Sequence, residues 1–194
     1  MKKIILEWTK EFWSYLGDTQ TKWTRVLHIA IAALIIFQII DSNFMVVAYS
    51  PQMVLNIGTW IHIISGITIT VVSVLFIFIV LKRRGLRHFY PYLYGDLTQL
   101  KLDLKILCSF KLPEASSKGL ATIVQGLGLG ALVLVLCSGL LWFASWSFQW
   151  GIAHEVQDWH KTLTGLVEFY IVGHGCLGVL HFLLRKYFPR FLYH

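Results

Sequence analysis

The sequence predicts an all-α membrane protein: a four-transmembrane-helix bundle with an N-terminal amphipathic interfacial helix and a short cytoplasmic surface helix. Three observations carry this prediction. Of the 194 residues, 56% are hydrophobic and mean hydropathy is +0.64, whereas soluble domains are about 45–50% apolar. The excess sits in four stretches, each long enough to cross a hydrocarbon core of about 30 Å. Basic residues and tryptophans are sorted by side.

The opening MKKIILEWTKEFW predicts no signal peptide. Its apolar run is short, Glu7 interrupts it and no small-residue cleavage site follows. Ile5, Trp8, Phe12 and Leu16 fall at helical spacing, with Lys2, Lys3, Lys10 and Glu11 among the polar positions. Residues 1–20 therefore read as an amphipathic helix in the membrane interface, or as a helix packed on a neighbour. Trp8 and Trp13 favour the headgroup region. Residues 21–194 form one membrane domain, with spans near Thr24–Ala48, Ile57–Leu81, Leu120–Phe148 and Trp159–Leu184. Between spans two and three, Leu97, Leu100, Leu104 and Leu107 make an apolar stripe at helical spacing. Asp96 and Gln99 make a plausible N-cap and capping partner before it, and Pro113 ends the ordered part of this loop.

The net charge of +7 would suit a nucleic-acid partner, but its distribution argues against one. Five Lys/Arg precede or open span one, none lies between spans one and two, eight lie from Lys82 to Lys118, and three follow span four. Lys161 alone falls on the other side. The positive-inside rule puts the crowded side, with both termini, in the cytoplasm, and so puts the chain in a bacterial inner membrane. Trp8, Trp13 and Trp23 fall at the inner boundary. Trp60, Trp142, Trp146, Trp150 and Trp159 fall at the outer one, as aromatic belts require. Cys108, Cys137 and Cys176 lie at unmatched depths and make no disulfide framework. No C-x-x-C-H is present to attach a c-type haem.

Eight histidines sort by depth. His160 and His174, fourteen residues apart, share one face of span four to within about 40° and stand about 21 Å apart along it. His62 opens span two on the outer side, and His28 lies in span one near the inner side. Depth thus pairs His62 with His160 and His28 with His174. Polar side chains in hydrocarbon usually face the bundle interior. Two imidazoles and nothing else suit bis-histidine haem iron, whereas a zinc site wants four ligands at one depth. Gly66, Gly165 and Gly173 lie near these histidines, and Gly126, Gly128, Gly130 and Gly139 line span three. They allow close helix approach at a macrocycle's edge, or ordinary small-residue packing.

TRVLHIAI in span one, WIHIISGITI in span two and DWHKTLTGLVEFYIVGH in span four resemble bacterial cytochrome b561 and the cytochrome b subunits of nickel–iron hydrogenases. The resemblance runs from about Trp23 to the C-terminus, and its specific part is W-H followed by a second His fourteen residues on. It implies four helices, two non-covalent haem b groups and quinone-linked electron transfer. By resemblance the ligands are His28, His62, His160 and His174.

His181, seven residues past His174, shares the face but lies at the inner boundary. It is assigned to a propionate or a quinone head group, with a solvated interfacial histidine as the alternative. His88 and His194 read as solvated, and His154 as a loop residue. Propionates need cationic partners: Lys22, Arg25, Arg83 and Arg87 inside, and Lys161 outside. Glu168 sits mid-span, turned about 80° from the haem face, and reads as a protonated structural carboxyl. Asp41 lies near the outer boundary within reach of water. The expected function is electron transfer between quinone and a periplasmic electron-transfer protein or hydrogenase-like partner, in contact with membrane lipid. A stand-alone superoxide:quinone oxidoreductase and a haem-free anchor are the alternatives. No flavin motif or iron–sulfur cysteine set is present, so a dehydrogenase activity would need another subunit.

Overall fold

A computed structural model describes residues 2–45, 55–113 and 116–193. It is helical apart from one short strand pair: α1 (Lys2–Gly17), α2 (Lys22–Asp41), α3 (Ile57–Arg84), α4 (Leu86–Phe89), α5 (Thr98–Cys108), α6 (Leu120–Ser147) and α7 (Ala153–Tyr187). Four helices, α2, α3, α6 and α7, are long and apolar enough to span a bilayer. The side chains of residues 2–5, and hence Ile5, lie outside the described set, as do His194 and the expected end of span one at Ala48.

Local chemistry starts two of the spans. The Thr21 hydroxyl accepts the Thr24 amide at 3.3 Å, and the Asn56 side chain accepts the Thr59 amide at 2.8 Å. α7 begins at Ala153, six residues before the expected Trp159. Apolar content marks where a membrane begins, not where a helix does. Polar residues and the dipole-favoured Glu155 extend the first turn beyond the apolar part, and His154 belongs to that turn rather than to a loop.

α2 packs chiefly on α3, and α6 chiefly on α7. An apolar layer of Ile31, Ile69 and Leu132 occupies the middle, and Leu55, Ile63, Trp142 and Val156 form a second cluster. Outward, Phe78 is 62% exposed and Phe169 82%. Apolar surface on this scale needs cover. With four apolar spans, that cover is lipid, and the chain is a multi-pass membrane protein.

One end of the bundle, here the basic end, gathers α1, α4, α5 and the last turns of α3 and α7. Trp8 and Phe12 of α1 pack on Phe182 of α7, with ring centres 6.0 and 5.3 Å apart. Arg185 pairs with Asp18 at 2.7 Å, and Lys186 pairs with Glu11. So α1 is fastened to α7 through its aromatic face. The connecting loop is better anchored than its sequence suggests. Leu112–Pro113 pairs in parallel with Leu192–Tyr193, and Pro113 is the last described residue of this part of the loop. The expected cap holds in part: the Thr98 amide, first in α5, donates to the Asp96 carboxyl. The N-cap position of α5 is Leu97 and has no side-chain bond. Gln99 turns to Asp103 at 2.8 Å, and Asp96 meets Lys118 at 2.9 Å.

Asp103 has a role the apolar stripe does not reveal. It is 1% exposed, and its Oδ2 accepts the Leu120 amide at 2.7 Å. A carboxylate thus caps the N-terminus of α6 from another helix. Asp103→Ala should cost about 2 kcal/mol, read as a lower unfolding temperature in detergent, and Asp103→Asn should recover part of it. Asp96 contributes differently. The Lys118 ammonium bonded to it holds its carboxyl below the usual range, with the Thr98 amide and Arg87 adding to the effect. A depressed folded value gives stability that is full above the unfolded value, near pH 3.9, and is lost as pH falls through the folded one. Melting curves at pH 7 and pH 3 should therefore differ less in Asp96→Asn than in the parent.

Candidate functional site

The structure brings the spanning-helix histidines together two by two. His28 of α2 and His174 of α7 have ring centres 6.1 Å apart with planes at 90°. His62 of α3 and His160 of α7 have centres 6.4 Å apart with planes at 85°. A metal held between two imidazoles, about 2 Å from each nitrogen, has ring centres about 6 Å apart. Both pairs have that spacing. The helical rise puts the two levels about 21 Å apart along α7, with the Ile31–Ile69–Leu132 layer in the middle of the bundle.

The surroundings orient each ring. His160 Nδ1 lies 3.1 Å from the Val135 carbonyl and 2.9 Å from Ser138 Oγ. A carbonyl can only accept, so the network assigns the proton to Nδ1 and leaves the Nε2 lone pair free. His62 Nδ1 faces Asp41 Oδ2 at 3.5 Å without a hydrogen bond, and an acceptor on that side favours the same tautomer. A metal-binding histidine typically directs its second nitrogen at an acceptor. At the other level, His174 is stacked by Tyr170, with centres 5.0 Å apart and planes at 10°. His28 lies against Phe76, and its Nδ1 is buried without a partner.

Glycines are placed where side chains would intrude. A Cβ on Gly139 would stand 3.0 Å from His160 Cε1, and one on Gly128 would overlap the Tyr170 ring. On Gly165 or Gly173 it would meet only open space. Beside His62 and His160 lies a cavity of about 420 Å³, also lined by Gly66, Gly139, Lys161 and Glu168. That volume is within the range of small-molecule and cofactor sites, about 300–1,000 Å³. Glu168, expected to turn away, borders this cavity and is exposed.

The remaining candidates divide. Lys161 lines the cavity and pairs loosely with Asp158 at 3.4 Å. Arg25, one turn before His28, donates to the Trp13 carbonyl at 2.6 Å and lies over the Trp13 ring. Its Nε is buried and unpartnered. His181 sits with Nδ1 3.0 Å from the Leu177 carbonyl and Nε2 3.1 Å from the Pro113 carbonyl. It ties the connecting loop to α7 rather than opening toward His174. His88, expected in solvent, is half-buried and meets Ser117 Oγ at 2.9 Å. Burial, helped by nearby Arg84, pushes its imidazole below the ordinary value.

Sequence reasoning passed over Ser138, Val135 and Tyr170, whose contacts depend on helix rotation. The partnership of Asp41 with His62 had a signal: both lie toward the same end of consecutive antiparallel helices.

A family profile described as prokaryotic cytochrome b561 matches residues 19–193. Comparisons with curated proteins and with solved structures give no match.

Proposed function

The chain belongs to the prokaryotic cytochrome b561 family, membrane b-type cytochromes of electron transfer, and from that premise we propose a two-haem conduit between the quinone pool and a periplasmic redox partner. The observation that carries the proposal is the presence of two imidazole pairs, at metal-bridging spacing, on two levels of one helix. His62 and His160 would hold one haem b, and His28 and His174 the other. When bound, haem would supply a one-electron ferric–ferrous couple, and a histidine pair at each iron would favour electron transfer over oxygen binding.

The chain's own residues fix position and charge. Val135 and Ser138 hold the His160 ring, and Tyr170 holds that of His174. Lys161, at the edge of the cavity, is placed to meet a propionate of the first haem. Arg25, with a free buried Nε–H one turn from His28, is placed to meet one of the second. The apolar layer between the levels keeps water out of the interval. At the basic end, Trp8, Phe12, Trp13, Ile29 and Phe182 line an apolar cleft that suits a quinone tail. With the basic end facing the cytoplasm in an inner membrane, both termini are cytoplasmic and α1 lies in the interface.

The test is a haem assay and a reduced-minus-oxidised spectrum on protein purified with haem supplied. Two b-type haems per chain, reduced anaerobically by quinol, are expected. One haem or none would overturn the two-level reading.

A further inference from the structure

Asp41 is a carboxylate in an unfavourable place. It is the last residue of α2, where the helix dipole disfavours negative charge. It is 7% exposed, and its Oδ2 is buried without a hydrogen bond. Burying a carboxylate is costly unless something opposes it. What faces Oδ2 is His62 Nδ1, itself buried and otherwise unpartnered, at 3.5 Å. A cap for this helix end would need a donor, not an acceptor, so helix stability does not account for Asp41.

From this geometry we infer that Asp41 is a positioning residue that orients His62 and lowers the reduction potential of the haem it shares with His160. The inference rests on the two-haem reading above. A carboxylate behind a ligand histidine fixes the ring and raises the basicity of the ligating nitrogen. A more basic ligand, with a fixed negative charge behind it, stabilises ferric over ferrous iron. Among the described residues no carboxylate pairs with the other three: His160 Nδ1 meets a carbonyl and a hydroxyl, His174 stacks on Tyr170, and His28 Nδ1 has no hydrogen bond. Of the groups facing the four ligand rings, the one behind His62 is a carboxylate, so the His62–His160 haem is the one whose potential depends on position 41.

The test is an anaerobic redox titration of full-length protein, parent against Asp41→Asn and Asp41→Glu, with haem content measured on the same samples. In Asp41→Asn, at fixed ambient potential, one of the two components should shift at least tenfold toward ferrous, equal to about 59 mV for one electron. The other should stay in place, haem content should hold, and Asp41→Glu should move the shifted component back. Repeating Asp41→Asn in a His28→Leu background, which keeps only the His62–His160 haem, should reproduce the shift. Two components that titrate as in the parent, or that shift together, overturn the inference while leaving the two-haem reading intact. Loss of haem in both Asn and Glu variants also overturns it, since it indicates packing alone. A parent protein without two components overturns both.

Discussion

Replacing His160 with leucine is expected to remove one of two haems, taking haem b from about two per chain to about one. His160 has no substitute: it alone on α7 stands at the level of His62, at 6.4 Å, and its ring is held by Val135 and Ser138. The cavity beside it should then stay without its cofactor, and electron transfer from quinol to an outer acceptor should be lost even though the His28–His174 haem still reduces. His62→Leu should give the same result. Because the two residues act as one unit, the double variant should be no worse than either single one. His160→Leu combined with His174→Leu should instead remove both haems. Haem content and redox titration read all four variants. If His62→Leu and His160→Leu removed different haems, the pairing would be wrong. Ser138→Ala is the mild control: the Val135 carbonyl still accepts from Nδ1, so the haem should remain.

Depth along four spans was readable because the physics is one-dimensional. Hydropathy gives the spans, and counting residues from their ends gives each histidine a level. That suffices to put His28 with His174 and His62 with His160. It does not give rotation about each helix axis, and the supporting contacts depend on rotation. Glu168 shows the gap. Its angle from His160 along an ideal helix points away, yet it borders the same cavity, because a wide cavity spans more than one face. His181 shows another. Counting along the helix gives it a level, but a loop carbonyl at Pro113, sixty-eight residues away in sequence, fills its second nitrogen. Asp103 was hidden for a simpler reason. Its neighbours Leu100, Leu104 and Leu107 announce an apolar face, while its carboxylate is buried for a hydrogen bond, which hydropathy cannot register.

Span-three glycines, which on sequence grounds fitted ordinary helix packing as well as a cofactor edge, separate once their neighbours are known. Gly128 lies against the face of Tyr170, and Tyr170 lies against His174. A single methyl at Gly128 has no room, because the ring that it meets is backed by the histidine. Gly128→Ala is therefore expected to destabilise the protein by about 1–3 kcal/mol, the range for overpacking a filled interior. It should also selectively weaken or expel the His28–His174 haem, since the push is transmitted through the stacked ring. The His62–His160 haem, about two-thirds of the way along the same helix and reached through Gly139 instead, should titrate as in the parent. Tyr170→Ala should relieve the overlap, so adding it to Gly128→Ala should restore more haem than its own effect predicts, a positive coupling in the double-mutant cycle. Tyr170→Phe keeps the ring and should rescue nothing. Equal loss of both haems in Gly128→Ala would mean that the helix pair separates as a whole, and that the glycine serves packing without reference to His174.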